Sequence, residues 1–169
     1  MTKMQTALLF LFSAVVLVYA SAAQPEMMST GSNPSWETYV NSRYGYSFHY
    51  PVNWYLEEST ELITTVRPWK REAHQYSNPI TDLTVTVYPT PESWERIRSD
   101  MDKGHFIEKR DFTIGGQPAQ EMTELAEKGL SYTHIFIEKN GSLFAITYSN
   151  DSPELPVMNQ IVDSFKFTS

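Results

Sequence analysis

Apolar and polar side chains that alternate along short runs are the feature that most limits how this chain can fold. Residues 83–88, LTVTVY, place one Leu and two Val on one side and two Thr and a Tyr on the other. A period of two residues predicts a half-buried β-strand. Gly115-Gly116 and Asn140-Gly141 separate further runs of this kind, and Asn-Gly is a strong two-residue hairpin signal. The pattern therefore predicts an antiparallel sheet.

Two segments break the alternation with helical signals. Thr90 is a suitable N-cap and Pro91 suits the first helical position, while Gly104 follows where a helix would stop. A shorter helix is predicted after Pro156, leading into a last strand at residues 164–167. About seven or eight antiparallel strands with two helices predict the α+β class, an antiparallel β-sheet flanked by helices.

Residues 43–59, RYGYSFHYPVNWYLEES, are unusually rich in aromatic rings. Tyr46, Phe48 and Tyr50 share one side of a strand that Pro51 ends, because proline cannot donate a ladder hydrogen bond. Rings at this spacing are typical of a core, so we expect them to be buried. The alternative is an exposed ring platform that would bind carbohydrate.

The N-terminal residues predict export. Lys3 precedes an apolar run at residues 7–19, and Ala20-Ser21-Ala22 provides the small residues of a cleavage site. We predict a signal peptide at residues 1–23, a polar flexible linker at 24–35 and a single domain at 36–169. The protein would then be extracytoplasmic, secreted or periplasmic, with no stable membrane insertion after cleavage. The alternative is an uncleaved anchor, although the apolar run is short for a spanning helix.

Composition excludes several kinds of partner and site. The chain has no cysteine, so an ordinary hydrophobic core must hold the domain together without disulfides. The formal net charge of −7 argues against nucleic acid and against an anionic membrane surface, both of which require clustered Lys and Arg.

The one basic cluster lies in residues 67–82, which read as a long exposed loop. An exposed tryptophan flanked by cations is a plausible protein-contact patch on an acidic chain. The predicted partner-contact residues are therefore Arg67, Trp69, Lys70 and Arg71. The alternative is a solvated loop whose tryptophan packs back on the sheet.

No catalytic or metal-binding pattern stands out. The histidines lack the H-x-H and H-E-x-x-H spacings that place two imidazoles on one metal, and no G-x-S-x-G occurs. Close carboxylates such as Glu121 and Glu124 are expected by chance in an acidic protein. We therefore expect no enzyme activity and no cofactor, with an unrecognised hydrolase as the alternative. The four histidines are His49, His74, His105 and His134.

Three segments resemble the PsbP-like family. They are YGYSFHYPVNW at residues 44–54, IGGQPAQEM at 114–122 and MNQIVDSFKF at 158–167, in that order along the chain. The resemblance implies an antiparallel sheet flanked by helices, an α/β/α sandwich, which agrees with the element order above.

The functions of that family are varied. The resemblance implies a binding or accessory module with a protein partner in the cell envelope or exterior, and implies no chemistry. The named member is an extrinsic photosystem II subunit that supports calcium and chloride retention, so a photosystem role and weak calcium binding are alternatives. Its long lysine-rich extension has no counterpart in residues 24–35, which argues against photosystem docking. Another relative binds the Ran GTPase, but the signal peptide argues against a nuclear role.

Overall fold

The structure, a computed structural model, describes residues 35–70, 81–102 and 106–168. These residues all fall within one unit of the chain, Ser32–Ser169. The described part contains ten β-strands, two α-helices and one turn of 3-10 helix. In chain order they are β1 (Trp36–Asn41), β2 (Tyr46–Pro51), β3 (Tyr55–Thr60), β4 (Ile63–Arg67), β5 (Leu83–Tyr88), α1 (Pro91–Asp102), β6 (Phe106–Ile114), β7 (Gln117–Leu125), the 3-10 turn (Glu127–Gly129), β8 (Ser131–Lys139), β9 (Ser142–Ser149), α2 (Leu155–Asp163) and β10 (Lys166–Phe167).

The strands form two antiparallel sheets. Three strands pair in the order β1-β2-β10, and seven pair in the order β3-β4-β5-β9-β8-β7-β6. The chain passes from the first sheet to the second just after Pro51, which ends β2. The predicted antiparallel α+β class is confirmed. The described residues contain ten strands, more than the seven or eight expected, and the last strand predicted at residues 164–167 is present as the shorter β10.

The main hydrophobic core lies between one face of the seven-stranded sheet and a layer made of the three-stranded sheet and α2. Leu83, Val85 and Val87 of β5 are buried in this core, as the alternation predicts. Met158 and Ile161 of α2 pack into it from the other side. Full burial of each such side chain stabilises the fold by about 1.5–3 kcal/mol, so the core does not depend on disulfides.

The opposite face of the seven-stranded sheet packs against α1. Trp94 of α1 belongs to a second cluster that includes Leu143 and Ala145 of β9, whereas Phe144 and Ile146 face the main core. Neighbouring residues of β9 thus serve different cores, and the two helices lie on opposite faces of the sheet. The expected helix-flanked sandwich is met only in part, because strands dominate and a second sheet shares one flank with α2.

Local signals for turns and caps are borne out. The backbone N–H of Ser93 donates to Oγ1 of Thr90 at 3.3 Å, at the start of α1. Asn140 and Gly141 have φ of 52° and 77°, as a two-residue hairpin turn between β8 and β9 requires. The predicted helix start and the predicted hairpin are therefore confirmed.

The aromatic stretch is mostly core. Tyr46 and Phe48 are 0% and 1% exposed, Trp54 is buried, and Tyr50 is half-buried. Tyr46 stacks on Phe165 with ring centroids 5.4 Å apart. The prediction that these rings fill a core is confirmed, and the ring-platform alternative does not hold for them.

Several predictions concern residues outside the described part of the chain. These are the signal peptide at residues 1–23, most of the linker at 24–35, the contact residue Arg71, and the predicted helix stop at Gly104. Among the residues that are described, no helix combines the length and apolar character needed to cross a membrane.

Candidate functional site

The predicted contact residues divide into one buried and two exposed side chains. Arg67 is the last residue of β4 and is only 4% exposed. Its Nη2 lies 3.2 Å from a carboxylate oxygen of Glu57 and 3.6 Å from one of Asp82. The prediction that Arg67 lies in an exposed contact loop is therefore wrong. Arg67 is buried at the end of a strand that lies between β3 and β5. A buried cation requires carboxylate partners, and Glu57 and Asp82 provide them.

Trp69 and Lys70, which follow Arg67, are exposed. Trp69 retains 36% of its accessible surface, and Tyr55, the register partner of Arg67 on β3, retains 45%. We call Tyr55, Trp69 and Lys70 the strand-end surface, because all three lie at the same end of the β3–β4 pair. Their role in binding a partner stays a prediction, and so does that of Arg71.

A second candidate site is a cleft on the α1 face of the seven-stranded sheet, which we call the His134 cleft. Its volume of about 520 Å³ lies within the range of small-molecule sites, about 300–1,000 Å³. Strands β5, β7, β8 and β9 provide most of its walls, and α1 provides one side. The lining residues are Thr86, Tyr88, Ile97, Phe106, Glu124, His134, Phe136, Ala145 and Thr147.

His134 is held by hydrogen bonds at both ring nitrogens. Nε2 lies 2.9 Å from Oε2 of Glu124, and Nδ1 lies 3.1 Å from Oγ1 of Thr147. Burial lowers the pKa of His134, and the neighbouring Glu124 opposes this only in part. The imidazole is therefore neutral near pH 7. Because a carboxylate can only accept, Nε2–H donates to Glu124, and Nδ1 accepts the Thr147 hydroxyl proton.

Aromatic rings surround this hydrogen-bonded pair. Phe106 meets His134 edge-to-face with centroids 5.6 Å apart, and Phe136 stacks on it at 6.1 Å. Tyr88 is half-buried at the same cleft, and burial raises the pKa of its hydroxyl. Among the described lining residues, the cleft thus combines one carboxylate with several aromatic rings.

The remaining described histidine, His49, lies on β2, and its Nδ1 is 2.9 Å from Oγ1 of Thr38. It belongs to the three-stranded sheet, whereas His134 belongs to the seven-stranded sheet. Within the described ranges, no group of three or more potential metal-ligating side chains occurs. The expectation that the protein holds no metal stays a prediction.

The pairing of His134 with Glu124 is not indicated by the sequence pattern. The contact between His134 and Thr147 was predictable, because the Asn140-Gly141 turn sets the register that places these two residues opposite each other. The contact between His134 and Glu124 was not predictable, because β7 and β8 are joined by a longer connection that contains a 3-10 turn. In the sequence, Glu124 is one of several closely spaced carboxylates of an acidic chain and carries no further signal.

Three solved structures are similar to this chain to different degrees. The solution structure of cyanobacterial PsbP from Synechocystis sp. PCC 6803 has a TM-score of 0.52 and 14% identity, covering 82% of this chain and 95% of that one. A crystal structure from Bacteroides thetaiotaomicron VPI-5482 has a TM-score of 0.49 and 13% identity, covering 79% and 48%. The Saccharomyces cerevisiae Ran-binding protein Mog1p has a TM-score of 0.42 and 10% identity, covering 80% and 97%.

The likeness to the cyanobacterial PsbP structure, at 14% identity, shows a shared fold and nothing more specific. No curated protein sequence matches the chain significantly. The profile of the PsbP-like protein family matches residues 21–167, which is nearly the whole chain. The same span includes all three segments on which the sequence resemblance rests. The chain belongs to the PsbP-like family.

Proposed function

We propose that this protein is a non-catalytic binding module that acts outside the cytoplasm and holds a protein partner through its strand-end surface. The observation that carries the proposal is the contrast between Arg67 and the residues beside it. Arg67 is 4% exposed and bound to two carboxylates, while Trp69 and Tyr55 keep 36% and 45% of their surface. The exposed rings of Tyr55 and Trp69 therefore lie at an end of β4 that the ion pairs of Arg67 hold in place.

The chemistry of this surface favours protein contact. Tryptophan and tyrosine are among the side chains that contribute most to protein interfaces, and their effect is greatest when they are held in place before binding. Lys70 adds a positive charge to a chain whose net charge is −7. Charge complementarity then favours a partner with an acidic surface in that region.

The proposed location rests on residues 1–23, whose charged start, apolar run and small-residue end have the layout of a signal peptide. Mass spectrometry of the protein recovered from its host tests this part. We expect a mature N-terminus after residue 22 or 23. An intact Met1 on most molecules would contradict it.

The partner surface is tested by quantitative capture from the envelope and secreted fractions of the host. The wild-type protein is compared with a Trp69→Ala/Lys70→Ala variant and with Ile107→Ala. Ile107 is 60% exposed and lies on β6, at the opposite edge of the seven-stranded sheet, so it controls for the loss of an exposed apolar side chain. We expect specific proteins to be captured by the wild type and Ile107→Ala and lost with the double variant.

Stability separates a binding effect from a folding effect. Because Trp69 and Lys70 are exposed, the double variant should keep its melting temperature within about 3 °C of wild type. Equal capture by the double variant and the wild type, with unchanged stability, would show that another surface holds the partner. A large fall in melting temperature would show that Trp69 is part of the core.

A further inference from the structure

The His134 cleft is separate from the strand-end surface and is of a size to take a small molecule. Its walls belong to β5, β6, β7, β8, β9 and α1, whereas the strand-end surface lies on β3 and just beyond β4. Anything that binds in the cleft would therefore be additional to the proposed protein partner. The chemistry of the cleft follows from its net charge and its rings.

Among the described residues that line the cleft, Glu124 carries the one formal charge, and it is negative. The Glu124 carboxylate accepts from His134, and in the described part of the chain it makes no other polar contact. Since burial lowers the pKa of His134, the ring is neutral near pH 7 and does not cancel the carboxylate charge. The side chain of Glu124 remains 37% exposed, so a ligand can reach it. A cation is thus the complementary ligand.

The walls select the kind of cation. The faces of aromatic rings carry partial negative charge and attract weakly hydrated organic cations. Tyr88, Phe106 and Phe136 supply such rings beside Glu124. One carboxylate cannot complete the shell of six to eight oxygen ligands that calcium takes. An alkylammonium ion needs only one countercharge and apolar surface around its carbon atoms, and the cleft supplies both.

From the placement of the Glu124 carboxylate among the rings of Tyr88, Phe106 and Phe136, we propose that the His134 cleft binds a small organic ammonium ion. Its cationic head contacts the carboxylate and the rings, and its carbon chain lies along Ile97 and Ala145. Arg96 is an exposed cation on α1 that acts electrostatically on Tyr88. It faces solvent and does not line the cleft, so it weakens binding without preventing it.

The probe for this proposal is choline, compared with 3,3-dimethyl-1-butanol, a neutral molecule of the same shape. Each is titrated into the purified protein near neutral pH, and the NMR signals of the His134 imidazole and of the Phe106 and Phe136 rings are followed. We expect choline to shift these signals with a dissociation constant on the order of 1 mM. The neutral molecule should bind about tenfold more weakly. Equal binding of the two, or no shift with choline, would overturn the proposal.

Two matched variants test whether the Glu124 carboxylate is the group that binds the cation. Glu124→Gln removes the carboxylate and keeps the shape, and Glu121→Gln makes the same change three residues earlier on β7. Glu121 lies on the other face of that strand, paired with Arg110 at 2.8 Å. We expect Glu124→Gln to weaken choline binding about tenfold and Glu121→Gln to leave it unchanged. Equal effects of the two variants would refute a role for Glu124. The comparison of choline with its neutral isostere decides the matter even where a variant folds poorly.

Discussion

Replacing Arg67 with alanine should destabilise the fold strongly, although the residue borders an exposed segment. The Arg67 side chain is 5% exposed, and its two acceptors differ in their access to solvent. The side chain of Asp82 is 8% exposed and that of Glu57 is 39% exposed. The pair with Asp82 therefore accounts for most of the expected loss in the free energy of unfolding. A buried carboxylate that loses its cation cannot replace that interaction with hydration by water.

The magnitude follows from the distances. Coulomb's law with an effective dielectric constant of about 20 gives an attraction of about 5 kcal/mol between Arg67 and Asp82 at 3.6 Å. Desolvation of both groups offsets part of this in the intact protein, but Asp82 stays desolvated after the substitution. The exposed pair with Glu57 adds about 1 kcal/mol or less. We expect the free energy of unfolding to fall by about 3–5 kcal/mol, and the melting temperature by about 10 °C or more.

Urea denaturation followed by circular dichroism measures this change. Lys70→Ala is the control, because it removes a cation three residues further along that is exposed to solvent. Its effect should stay within about 0.5 kcal/mol. If Arg67→Ala unfolds within about 1 kcal/mol of wild type, the buried ion pair is not important for stability. Arg67 would then return as a candidate for partner contact.

Two further predictions concern a turn and a titrating side chain. Gly115→Ala should lower stability clearly more than Gly116→Ala. At Gly115 φ is +55° and a Cβ would lie 3.1 Å from backbone atoms of Phe165 and Lys166, whereas at Gly116 φ is +77° and no atom lies within 4 Å. Equal losses of stability in thermal denaturation would show that the turn does not pack against the last strand. Because burial lowers the pKa of His134, the unfolded chain binds this proton at a higher pH than the folded one. Stability should therefore fall as the pH drops below the ordinary histidine value of about 6.5, until the lowered pKa is reached. His134→Gln should lose less stability than wild type over that range, and parallel denaturation curves for the two proteins would contradict this.

The candidate site was only partly predictable from the sequence. His134 and Thr147 each lie six residues from the Asn140-Gly141 turn, so their contact follows from a two-residue hairpin. Glu124 reaches His134 across the β7–β8 pair, whose connection includes Lys128 at a φ of 63°. That irregular connection has no sequence signal strong enough to set the register. The sequence likewise does not show which face of the seven-stranded sheet α1 covers, and that choice places Ile97 beside the cleft.

Sequence pattern was sufficient to predict the antiparallel class, most of the strands, the helix start at Thr90, the Asn140-Gly141 hairpin and the burial of Tyr46 and Phe48. These features depend on backbone preferences and side-chain alternation within a few neighbouring residues, so a linear pattern is enough to specify them. The burial of Arg67 and the pairing of Glu124 with a neutral His134 became visible only in the folded structure. The energy of a charged group depends on how much water remains around it and which opposite charges lie nearby, and both are set by strands that are distant in the sequence.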